Sequence, residues 1–143
     1  MFSSAPAIIA AIVALAVCGV ALWRGGWPER WGAAAILATW FASPLVQTSE
    51  ILDPEWGVFW LDVAALAAFL VLLLASRRGW LAVASAAQLM AVSSHLAMLI
   101  DRRITMNTYL IGLAIWSLII LLALAIGTWR AHRKASDDQR GSP

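Results

Sequence analysis

The chain has 143 residues, 62% hydrophobic and only 13% charged, with a formal net charge of +2 and a pI near 9.3. Soluble domains carry about a quarter charged residues, so this composition excludes an ordinary water-soluble fold. Five apolar stretches at roughly 20 residues per membrane crossing use about 100 residues, which leaves no room for a separate catalytic module.

The first apolar stretch covers residues 6–23 and holds the single cysteine, Cys18. One thiol excludes an intrachain disulfide and a cysteine-rich metal site. The run Leu15-Ala16-Val17-Cys18-Gly19 has the outline of a lipoprotein cleavage site. Val17 stands where a small residue is wanted, and no Lys or Arg precedes the apolar core. Cys18 therefore reads as a small buried apolar residue.

Arg24-Gly25-Gly26-Trp27 marks a turn, because paired glycines favour one. Pro28 and Glu29 suit the first turn of a second helix, where proline loses no needed donor and a carboxylate meets the positive dipole end. Its span covers 31–48, with a kink expected at Pro44. Asp53-Pro54-Glu55 is a helix-start signal for a third span, 54–76. Arg77-Arg78-Gly79 closes that span. A fourth covers 80–100 and ends at Asp101-Arg102-Arg103. Thr105, Asn107 or Thr108 is placed to cap a fifth, 109–129, whose Leu- and Ile-rich face from 118 to 124 suits lipid or a partner's groove. The polar tail, 130–143, is expected to be disordered and cytoplasmic.

The sequence thus predicts an all-α integral membrane bundle of five transmembrane helices. Arg24, Arg30, Arg77, Arg78, Arg130, Arg133, Lys134 and Arg140 fall on one side of it, against Arg102 and Arg103 on the other. Basic residues favour the cytoplasm, so the N-terminus is expected outside and the C-terminus inside. Trp23, Trp27, Trp31, Trp80 and Trp129 are predicted anchors at the inner boundary, and Trp56 and Trp60 at the outer one, since indole prefers the headgroup level. Trp40 and Trp116 fall near mid-depth and read as packing bulk.

Two ionisable residues interrupt the apolar runs. Asp62 lies six positions after Trp56, and His95 six positions before Asp101. At about 1.5 Å per residue, each sits roughly 9 Å from its outer helix end. Antiparallel neighbours joined by a short turn bring the two together. A lone acid at this depth costs several kcal/mol, so a partner is expected. Gln47 and Glu50 stand near the same end of the second helix. Gln88, His95 and Arg102 share one face of the fourth. These six residues form the candidate polar cluster; Ser85, Ser93 and Ser94 add hydroxyls around it.

Small residues on the first, second and fourth helices permit close backbone approach. No phosphate loop, nucleophile elbow, paired-histidine metal motif or dinucleotide fingerprint is present. One intramembrane His and one Asp are too few for a closed zinc site, His132 is too distant to add to them, and no cofactor is predicted. Asp137 and Asp138 beside the basic tail argue against nucleic acid.

The stretches Pro28-Glu29-Arg30-Trp31-Gly32-Ala33-Ala34 and Gln88 through His95 resemble those of uncharacterised small multi-span inner-membrane proteins of bacteria. The resemblance covers the general layout of the chain, and the expected location is a bacterial inner membrane. The resemblance implies no activity, cofactor or catalytic residue. The functional expectation is a non-enzymatic accessory, assembly or scaffold subunit in a homo-oligomer or larger membrane complex. The alternative is a small transporter, channel or proton-coupled carrier that uses Asp62 and His95.

Overall fold

The structure is a computed structural model that describes residues 5–46, 56–101 and 103–140. It is all-helical, with five helices: α1 (Ala5–Arg24), α2 (Trp27–Val46), α3 (Trp56–Ser76), α4 (Gly79–Ile100) and α5 (Met106–Arg140). Consecutive helices pack against each other, α5 returns to α1, and α2 and α5 meet across the centre. Segments Trp56–Ser76, Gly79–Met98 and Met106–Asp138 are long and apolar enough to cross a membrane. The apolar part of α1, Ile8–Arg24, is shorter, and α2 is interrupted by Glu29, Arg30 and Pro44.

The outer surface is largely apolar, and several polar side chains lie inside. Ile12, Leu15, Val71, Leu74, Leu118 and Leu122 are exposed, whereas Glu29, Ser85, Gln88, His95 and Thr128 are buried. Large exposed apolar surfaces of this kind mark contact with lipid or protein. The core is thin because the contact residues are small: Ala14, Cys18, Ala21, Ala33, Ala84 and Ala87 meet Leu81, Phe69 and Leu124. Cys18 is fully buried, so its sequence reading as a small core residue agrees with its position.

The helix ends follow local chemistry. Thr105 caps α5, its Oγ1 accepting the Thr108 N–H at 3.3 Å. The helix accordingly begins at Met106, about a turn before the expected start. At the other end the expected disordered tail is instead helical as far as Arg140. Adding residues to an existing helix costs little per step, and Ala131, Arg133, Lys134 and Ala135 are strong helix formers. The Arg133 guanidinium lies 4.2 Å from the centroid of the Trp129 ring one turn earlier. At 35 residues α5 is roughly 50 Å long. Nor is its middle a lipid face throughout: Ile120, Leu121, Ala123 and Leu124 are buried, while Leu118 and Leu122 are exposed.

The turn after α3 places Arg77 at φ 51°, the left-handed region, while its N–H donates to Leu73 O at 2.8 Å. Among the described residues no glycine has positive φ. The Gly25-Gly26 turn needs its glycines for space: a Cβ on Gly25 would meet the Ala21 carbonyl and approach Glu29 Cβ to 2.7 Å. The helix-start signal at Asp53-Pro54-Glu55 lies outside the described residues.

Candidate functional site

The matched depths of Asp62 and His95 do produce a contact. His95 Nε2 lies 2.8 Å from Asp62 Oδ2. Gln88, two helical turns before His95 on the same face of α4, donates from Nε2 to Asp62 Oδ1 at 2.8 Å and to the Asp62 backbone carbonyl at 3.2 Å. The second ring nitrogen, His95 Nδ1, lies 2.7 Å from the Tyr109 hydroxyl. Phe59 and Tyr109 pack edge-on against the imidazole, with centroids at 6.0 and 5.4 Å. Helices α3, α4 and α5 are thereby tied at one depth.

Two proton arrangements fit these distances. With a neutral imidazole, Tyr109 donates to Nδ1, and Nε2–H donates to the carboxylate. With an imidazolium, both ring nitrogens donate, and the phenol oxygen accepts. In each case both carboxylate oxygens and both ring nitrogens are engaged. The cluster is saturated, as burial of such groups requires.

Of the six expected members, Asp62, His95 and Gln88 come together. Gln47, Glu50 and Arg102 lie outside the described residues. Ser93 and Ser94 bond back to Leu89 O and Met90 O on their own helix, and Trp116 Nε1 donates to Ser94 Oγ at 3.2 Å. Trp116 therefore has a polar partner as well as bulk, while Trp40 packs on the core. Tyr109 was placed in the sequence only as a helix start. As the sole tyrosine, one turn into α5, it carries a sequence signal, though one that does not tie it to His95.

A second polar contact forms at the opposite end of the bundle, and it corrects the role of Trp80. Trp23, Trp27, Trp31, Trp56, Trp60 and Trp129 are exposed, but Trp80 is 7% exposed. Its Nε1 donates to Glu29 Oε1 at 2.9 Å. Its ring lies between two glycines: a Cβ on Gly32 of α2 would come within 2.6 Å of it, and one on Gly127 of α5 would clash as well. Without side chains at those positions the bundle admits the indole, so burial replaces the headgroup position. Glu29 is fully buried, and its Oε2 has no partner among the described residues. The first-turn position read from the sequence holds, but the side chain faces the core.

Among the described residues no three His, Cys, Asp or Glu side chains converge as metal ligands. Compared with known protein families, curated proteins and solved structures, the chain matches none of them.

Proposed function

We propose that this chain is a five-span integral membrane protein, N-terminus outside and C-terminus cytoplasmic, which serves as a non-enzymatic accessory or assembly subunit in a bacterial inner membrane. Helices α1 and α2 are 20 residues each, about 30 Å, the thickness of a bilayer's hydrocarbon core. The apolar exterior, the exposed tryptophans near both ends and the one-sided arginines support the same reading.

The observation that carries the functional half is saturation of the polar cluster. Asp62, His95, Gln88 and Tyr109 spend their hydrogen bonds joining three helices of one chain. Such a network fixes packing. The lipid-facing exterior is then free to meet a second copy or other membrane subunits.

One observation favours the proton-coupled carrier as a second reading: Asp62, His95 and Tyr109 form an unbroken string of groups able to exchange protons. Purified protein in vesicles carrying an interior pH dye separates the two. The assembly reading expects no pH-driven flux from the native chain. It further expects His95→Ala and Asp62→Asn to lower unfolding stability by about 1–3 kcal/mol each. A flux abolished by Asp62→Asn in a protein of unchanged stability establishes the carrier instead.

A further inference from the structure

Between α1 and α5, away from the polar cluster, lies a cleft of about 310 Å³. That is at the lower end of the roughly 300–1,000 Å³ range of small-molecule sites. The two helices run parallel, and each contributes one face in matched steps. Val17, Val20 and Arg24 line one wall at i, i+3 and i+7. Ala125, Thr128 and His132 line the other at the same spacing. Over about 10 Å of rise the walls change from aliphatic to basic, and both basic groups stand at one mouth. Thr128 donates its hydroxyl to Leu124 O, leaving lone pairs but no free donor midway.

Neither Arg24 nor His132 takes part in an ion pair among the described residues. The Arg24 guanidinium lies 5.0 Å from the centroid of the exposed Trp23 ring, so it is held at the level where the tryptophans gather. The nearest acids along α5, Asp137 and Asp138, lie more than a turn beyond His132. The mouth thus carries the Arg24 charge, with no ion pair among the described residues, beside the His132 ring, above walls that are aliphatic apart from the Thr128 hydroxyl.

We propose that this cleft binds one anionic phospholipid, with an acyl chain against Val17, Val20 and Ala125 and its phosphate at Arg24 and His132. The proposal rests on the membrane reading above, but not on which side of the membrane this end faces. The apolar walls call for a chain and the mouth for a phosphate, which a free anion or a zwitterionic lipid satisfies only in part. Basic pockets between helices bind acidic headgroups in this way. The Arg24 charge near an anionic headgroup corresponds to about fivefold in affinity, and the His132 ring adds a hydrogen-bonding group beside it.

The test is native mass spectrometry of the full chain released from vesicles of equal phosphatidylglycerol and phosphatidylcholine. One phosphatidylglycerol should stay bound, preferred by about fivefold or more. Arg24→Gln/His132→Gln should abolish the preference, and since both side chains are exposed the fold should survive. Ala125→Phe, which fills the floor, should reduce retention of either lipid. Equal retention of the two lipids by the native chain overturns the proposal. So does a preference that persists in the double variant, or displacement of the lipid by equimolar inorganic phosphate. Alkaline extraction of the same vesicles tells the two failures apart. A chain that washes off sinks the membrane reading itself, whereas a chain that stays without a lipid preference sinks only the cleft.

Discussion

At the scale of single residues, the fully buried Glu29 and the partly buried Asp62 are held in different ways. Asp62 has a partner for each oxygen, while Glu29 rests on one indole N–H. Removing that donor strands a buried carboxyl group, at a cost of about 1–3 kcal/mol or more. Trp80→Phe should therefore lower unfolding stability by more than the lost ring area implies. Combining it with Glu29→Gln should recover part of the loss in a double-mutant cycle; strict additivity would show that the contact contributes nothing. Tyr109→Phe removes one hydroxyl from a saturated cluster, and about 1 kcal/mol is expected by the same measurement. Arg77 differs again, because its left-handed backbone costs an L-residue roughly 1–2 kcal/mol. Arg77→Gly should leave stability unchanged or raise it, in spite of the extra chain freedom glycine brings.

Among the elements, the decisive contact is Trp80 of α4 lying between α2 and α5. Those helices approach there because Gly32 and Gly127 present bare backbone to the indole. Gly127→Ala should cost about 1–3 kcal/mol, the usual penalty for overpacking, and circular dichroism with thermal unfolding would measure it. Gly112, with open space where its Cβ would stand, is the control: Gly112→Ala on the same helix should be neutral or stabilising. The helix boundaries were mostly readable beforehand. The glycine pair, the Arg77-Arg78-Gly79 break and Thr105 all mark ends through bonds made within a few residues. The tail is the exception: its polar composition suggests disorder, while its strong helix formers carry α5 on to Arg140.

Among the described residues much of the outer surface is aliphatic while Glu29, Ser85, Gln88, His95 and Thr128 are buried, and five antiparallel helices would put the two chain ends on opposite sides of a bilayer. Single cysteines placed at residues 3 and 142 in a Cys18→Ser background should accordingly react with an impermeant maleimide from opposite faces; reaction from one face would reject the five-span topology. Hydropathy and residue spacing alone determined the number of helices, their approximate ends and the level at which Asp62 and His95 meet. Each of these depends on position along the chain, and rise per residue converts that directly into depth. Only the folded bundle decided that Tyr109 completes the cluster, that Trp80 leaves the boundary to meet Glu29, and that α1 and α5 enclose a cleft. Those outcomes depend on how each helix is rotated about its own axis and on α5 closing back against α1. Packing among distant segments sets both, and no local window of residues contains them.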